Sequence, residues 1–164
     1  MGGTRSGKSL YALRLAETMP KERLYIATAE ALDDEMASRI ALHRAERDGA
    51  WRTLEEPVNV TSALLASTNF GVVLVECLTI WLSNLVGKGL ADREIDGEVA
   101  RLVEAISASR TPIIVVSNEL GRGVMPENQL ARRFVDISGR ANQSVAAAVD
   151  DVIFVTAGIA QKLK

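Results

Sequence analysis

A chain of 164 residues is long enough for one domain with a proper hydrophobic core. With 48% hydrophobic and 24% charged residues and a net charge of −2, it has the make-up of a globular protein and no basic field to hold long nucleic acid. Cys77 stands alone, which excludes an intramolecular disulfide and a cysteine zinc site. No apolar run spans a bilayer or forms a leader, so a cytoplasmic protein is expected.

The chain opens on "GGTRSGKS" (residues 2–9), which fits the phosphate-loop pattern G-x-x-x-x-G-K-[ST]. By residue frequencies, such a match arises by chance roughly once in two hundred sequences of this length. Gly2, Gly3, Thr4, Arg5, Ser6 and Gly7 are expected to wrap backbone N–H groups around phosphate oxygens. Lys8 would reach the β- and γ-phosphates, and the Ser9 hydroxyl would ligate Mg²⁺. An amphipathic helix over 8–18 follows, as the loop requires. Such a loop normally leaves a central strand, and only Met1 precedes Gly2. The expectation is therefore a single domain over 1–164 whose first strand is missing upstream.

Further along, "RLYIAT" (23–28), "GVVLVE" (71–76), "PIIVVSN" (112–118) and "DDVIFVTAG" (150–158) read as strands. They are nearly continuous apolar runs, the signature of strands buried on both faces of a parallel sheet. Helical periodicity covers 33–48, 58–67, 92–109 and about 127–149. The apolar segment 78–85 reads as helix, although periodicity alone does not decide it. The tail "GIAQKLK" is placed as a short returning edge strand. Strands alternating with helices argue for an α/β fold around a mostly parallel sheet. Glu76 closes the run "VVLVE", where such folds place the acidic partner of Mg²⁺.

His43, the one histidine, lies in "DDEMASRIALHRAER" (33–47). At helical spacing it continues the stripe of Leu32, Met36 and Ile40, with Arg39 and Arg47 four residues to either side. From the residues alone, a lone histidine in line with an apolar face is more often structural than nucleophilic.

Taken together, "GGTRSGKS", "YIATAEALDDEMASRIALHR", "WRTLEEP", "LVECLTIWLSNL" and "VSNELGRGVMPENQLARRFVDISGRANQSVAAAVDDVIFVTAGI" closely resemble one family. It is the bifunctional adenosylcobinamide kinase/adenosylcobinamide-phosphate guanylyltransferase family of cobalamin biosynthesis. The likeness runs from Gly2 to the C-terminus, and the "DDEM…RI..H" and "VSNE.G.G..PEN" strings are more specific than the phosphate loop. The resemblance implies a RecA-like phosphate-loop fold, a homotrimer, and two reactions using ATP or GTP with Mg²⁺. The first phosphorylates a hydroxyl of adenosylcobinamide. The second transfers GMP from GTP to the resulting phosphate through a covalent histidine, with which His43 aligns. Thr28, Ala29 and Glu30, after the second expected strand, and Arg44 and Glu55 are then expected near the guanine nucleotide. The segment "NELGRGVMPENQLARRF" is expected to cover the corrinoid site. By contrast, Trp51 reads as packing and Arg132-Arg133 as a solvated helix face. Two other readings stay open: a simple small-molecule kinase with a structural His43, and a nucleotide-dependent binding module.

Overall fold

Four parallel strands form the main sheet: β1 (Arg23–Ala27), β2 (Trp51–Glu55), β3 (Val72–Glu76) and β4 (Ile113–Val116), in the order β2-β1-β3-β4. The structure, a computed structural model, describes every residue except 32, 35, 36, 39, 40 and 42–48. Its helices are α1 (Lys8–Glu17), α2 (Val60–Leu65), α3 (Leu78–Gly87), α4 (Asp92–Ala108) and α5 (Gln129–Ala148). A hairpin of β5 (Ile153–Thr156) and β6 (Ile159–Lys162) ends the chain, so the tail does turn back as a strand. The helix expected over 33–48 falls largely outside the described residues.

The burial pattern explains why the strand sequences run apolar without alternation. Leu24, Ile26, Val73 and Val75 face one side of the sheet and join Trp81, Leu82, Ile95, Leu102 and Ile137 from the helices. Tyr25, Val72, Leu74 and Val116 face the other side and pack on Ala12, Leu13 and Ala16 of α1. Successive residues point to opposite faces, so a strand covered on both sides needs apolar residues at every position. Ile26, Leu74 and Leu82 are fully buried, each contributing about 1.5–3 kcal/mol of transfer free energy.

The unexpected element is β2. In "WRTLE" only Trp51 is buried and the next four residues are exposed, so no apolar run announces it. It is an edge strand, held by its parallel ladder with β1 and by Trp51 packed edge-on against Tyr25. Trp51 is thus packing, as read. Helix α3 is apolar because it is buried along most of its length: Leu78, Thr79, Trp81, Leu82 and Leu85 all face the core. Trp81 also donates through Nε1 to the Val58 carbonyl at 2.7 Å, fixing the approach to α2.

Met1 and Gly2 lie between the two sheets. Gly2 bridges in parallel to Asn118, just past β4, and to Val155 in β5. The Met1 carbonyl accepts from Val155 N at 2.8 Å, and the Gly2 carbonyl accepts from Glu119 N at 3.1 Å. The phosphate loop therefore starts from a short parallel ladder rather than from a free end.

Candidate active site

The parallel registers set the C-terminal ends of the strands side by side. Ala27 pairs with Glu55 on one flank and with Glu76 on the other, and Glu76 pairs with Val116. Glu55, Glu76 and the residues that follow β1 therefore share one edge, with strands spaced about 4.8 Å apart. The chain leaves β1 for β2 on one side and later returns as β3 on the other. That reversal of strand order opens a crevice at the carboxyl ends, the usual ligand position in open α/β sheets.

The loop over residues 2–9 arrives at the same edge and runs into α1. Its shape depends on close backbone packing. A Cβ at Gly2 would lie 2.4 Å from the Val155 carbonyl oxygen and 2.6 Å from Ser6 Oγ. Gly7, the N-cap of α1, has φ 93° and packs against Gly158, whose N–H donates to the Ser6 carbonyl at 2.8 Å. Both glycines are thus required, the first by space and the second also by its left-handed backbone. Gly3, Thr4 and Arg5 are exposed at the loop's tip. The first N–H groups of α1 point out of this turn, where the helix dipole favours an anion.

Three side chains from this region converge. Ser9 Oγ, in the first turn of α1, donates to Glu76 Oε1 at 2.7 Å across 67 residues of sequence. Lys8 Nζ donates to the Gly3 carbonyl at 3.2 Å, folded over the loop. A hydroxyl and a carboxylate in contact are hard oxygen donors of the kind Mg²⁺ prefers, so Ser9 and Glu76 are the residues here that fit that ion. Among the described residues no group of three or more His, Cys, Asp or Glu side chains comes together as a metal cage. A two-ligand site completed by phosphate oxygens matches the way Mg²⁺ is bound with nucleotides.

Thr28 behaves differently from a ligand contact. Its side chain is fully buried, and Oγ1 both donates to the Cys77 carbonyl at 2.9 Å and accepts from Cys77 N at 2.7 Å. The hydroxyl locks the end of β1 to the end of β3, beside Glu76. Asn84 of α3 extends the lock: its Nδ2 donates to the Thr28 carbonyl at 2.8 Å and to the Pro57 carbonyl at 2.9 Å. Ala29 is half-buried, and Glu30 and Glu55 are exposed around the same crevice. Burial, with Glu76 adjacent, pushes the Cys77 thiol up to about 11, so it stays protonated and is no nucleophile. Its Sγ instead accepts from Ile80 N and caps α3.

A second polar cluster escaped the sequence reading. Ser117 Oγ donates to Asn142 Oδ1 at 2.6 Å, Asn142 Nδ2 donates to the Asn118 carbonyl at 3.0 Å, and Asn118 N donates to Thr79 Oγ1 at 2.8 Å. It pins the end of β4, where the segment 119–128 begins, to α3 and α5. The signal was available: Asn142 occupies the stripe that also carries Ile137, Ala141 and Val145. Polar residues on an apolar stripe need buried partners.

In the segment expected to cover the corrinoid, Val124 is 98% exposed and Met125 is also exposed. Arg122 stacks on Phe154 with its guanidinium carbon 4.1 Å from the ring centroid. Arg133 is more than a solvated face: it donates to Asp92 Oδ1 at 2.6 Å and to the Leu90 carbonyl at 2.7 Å. That contact holds the Asp92 carboxyl below its ordinary range. His43, Arg39, Arg44 and Arg47 lie outside the described residues.

With this geometry established, the relatives decide the family. A profile of the family described as cobinamide kinase / cobinamide phosphate guanyltransferase matches residues 1–163. The chain belongs to this family. It is 46% identical, over its whole length and 95% of the relative's, to the bifunctional adenosylcobalamin biosynthesis protein CobP of Pseudomonas aeruginosa. It is 40% identical to the bifunctional adenosylcobalamin biosynthesis protein CobU of Salmonella typhimurium, over 99% of this chain and 97% of the relative. The protein CobU of Escherichia coli matches with the same identity and coverage. As a cobinamide kinase and cobinamide-phosphate guanylyltransferase, the protein is a bifunctional enzyme of cobalamin biosynthesis. The family's phosphate-loop fold agrees with the parallel sheet and with the loop over 2–9. No helix among the described residues is long and apolar enough to cross a membrane.

Proposed function

We propose that both half-reactions use the phosphate loop of residues 2–9, with Lys8, Ser9 and Glu76 holding the triphosphate of ATP or GTP. The contact between Ser9 and Glu76 at 2.7 Å supports this reading most directly, because it brings the two expected Mg²⁺ ligands to one point. Bound there, the ion would offset charge on the β- and γ-phosphates. In the kinase step the hydroxyl of adenosylcobinamide attacks the γ-phosphorus and the bond to the nucleoside diphosphate breaks. Lys8 steadies the transferring group, and the hydroxyl proton passes to water.

The guanylyl step needs a carrier. A neutral imidazole nitrogen of His43 attacks the α-phosphorus of GTP, forming an N–P bond and expelling pyrophosphate. An oxygen of adenosylcobinamide phosphate then attacks the same phosphorus and frees the imidazole. Arg39 and Arg47, four residues either side in the sequence, are assigned to gather phosphate charge. Ala29, Glu30, Arg44 and Glu55 are assigned to the nucleotide's surroundings. Thr28 contributes through its backbone position, since its hydroxyl is engaged by Cys77. The working form is taken to be a cytoplasmic homotrimer.

The test is incubation with GTP labelled at the α-phosphorus, followed by acid. An acid-labile covalent label supports the assignment. Kinase turnover without a label would leave a simple kinase at this loop. Nucleotide binding with neither activity would leave a binding module.

A further inference from the structure

Toward the end of α3, the half-buried Asn84 joins two loops at the carboxyl edge of the sheet. Its Nδ2 carries two hydrogens, and both are spent on backbone: one on the Thr28 carbonyl at 2.8 Å, the other on the Pro57 carbonyl at 2.9 Å. Thr28 is where the chain leaves β1 for Ala29 and Glu30, and Pro57 follows Glu55, the end of β2, by two residues. The ladder between these strands ends as Glu56 N donates to the Ala27 carbonyl at 2.9 Å. Asn84 acts just beyond it, where strand pairing no longer fixes the chain. Trp81, one turn earlier on the same face of α3, accompanies it by donating to the next carbonyl, Val58.

The other end of α3 is tied to the phosphate site. Its N-cap, Cys77, follows Glu76 directly, and both backbone groups of Cys77 are held by Thr28 Oγ1. Thr28 N in turn donates to the Glu76 carbonyl at 3.0 Å. From Cys77 to Asn84 the helix rises about 10 Å. Because Leu78, Trp81, Leu82 and Leu85 are buried in the core, α3 cannot shift without disturbing that packing. It is a strut with one end at Glu76 and the other on the loops after β1 and β2. Neither bond of Asn84 goes to the phosphate loop, to Ser9 or to Glu76.

We propose that Asn84 is a positioning residue for the guanylyl step, setting the two loops around the nucleoside half of GTP at a fixed distance from the phosphates at Ser9 and Glu76. The inference rests on the assignment of Ala29, Glu30 and Glu55 to the nucleotide's surroundings made above. Guanylyl transfer takes place at the α-phosphorus, the one joined to the nucleoside, so it depends on how the nucleoside is seated. Phosphorylation takes place at the γ-phosphorus, at the far end of the triphosphate, which the phosphate loop holds by itself. A misplacement of about 1 Å can cost a reaction about a hundredfold. Losing the Asn84 donors therefore slows guanylylation far more than phosphorylation.

The test uses Asn84→Leu, which keeps the bulk and removes both donors. Three quantities are measured on one preparation: covalent GMP label from α-labelled GTP, phosphorylation of adenosylcobinamide by ATP, and the melt. At saturating GTP, well below the melt, the label should form about tenfold or more slowly than in the parent, while phosphorylation changes by less than about threefold. Val99→Ala, in the core of α4, is the stability control: its melt should fall while the ratio of the two rates stays that of the parent. Asn84→Ser, with one hydrogen to donate instead of two, should lie between Asn84→Leu and the parent, and it decides alone if the leucine variant does not fold. A parallel loss of both activities, or a lower melt with an unchanged ratio, makes Asn84 a structural residue and overturns the proposal. A labelled parent with an equally labelled variant refutes the role of Asn84 alone, whereas a parent that takes no label refutes the carrier reading and this inference with it.

Discussion

Replacing Thr28 by valine separates two roles for a residue at the mouth of the site. Valine keeps the shape but neither donates nor accepts. The Cys77 carbonyl would keep one partner, Trp81 N at 3.1 Å, so losing the threonine donor costs it about 0.5–1.5 kcal/mol. The Cys77 amide, paired with Thr28 Oγ1 at 2.7 Å, would be left buried and unsatisfied, at about 1–3 kcal/mol. Together that is about 1.5–4.5 kcal/mol, a large part of the 5–15 kcal/mol typical of a domain. For a chain of this size the melting temperature should fall by roughly 5–15 °C. Thr28→Ser keeps both bonds and loses one methyl group, so its melt should drop by only a few degrees. The assay is a circular-dichroism melt of both variants beside the KM for GTP. If Thr28→Val melts within 2 °C or so of the parent while the KM for GTP rises, the hydroxyl serves the nucleotide and the clamp reasoning is wrong.

Three other outcomes follow from the same geometry. Lys8→Ala should reduce both half-reactions by about a hundredfold or more, with an unchanged melt, because Lys8 is partly exposed and its one described bond is to the Gly3 carbonyl; near-normal turnover would refute the loop assignment. His43→Asn should lose covalent GMP labelling and guanylyl transfer while phosphorylation persists, and retained labelling would end the carrier hypothesis. Asp92 is held below its ordinary pKa chiefly by its hydrogen bond to Arg133, so its contribution is present above about pH 4 and is lost as the pH falls through the lowered folded value. Asp92→Asn should therefore flatten the acid side of the melting-temperature profile, by a small amount because both partners are partly exposed.

What could be read from the residues depended on how local the signal was. The loop over 2–9, the three core strands and the long helices announce themselves through short patterns, and α4 and α5 end within two residues of the periodic stretches. Strand β2 gave no such sign, since an edge strand with one buried residue owes its existence to β1 alongside it. Glu76 was legible as a strand-terminal carboxylate, and the structure adds its contact with Ser9. The Thr28–Cys77 clamp was not legible, because its partners lie 49 residues apart and nothing local marks a threonine as a double hydrogen-bonder. Asn84 was missed for the same reason, as it joins the ends of β1 and β2 from a helix that arrives later in the chain.

The packing of Gly7 on Gly158 bears on when the protein becomes competent during its synthesis. The loop over residues 2–9 is made roughly 150 residues ahead of Val155 and Gly158, on which it packs. The ribosome adds about 5–20 residues per second, so the loop waits roughly 8–30 s for its supports. Closing contacts across nearly the whole sequence is also the slowest kind of step in folding. On the proposed assignment of this loop to triphosphate, nucleotide stabilises the protein only after the hairpin of β5 and β6 has docked.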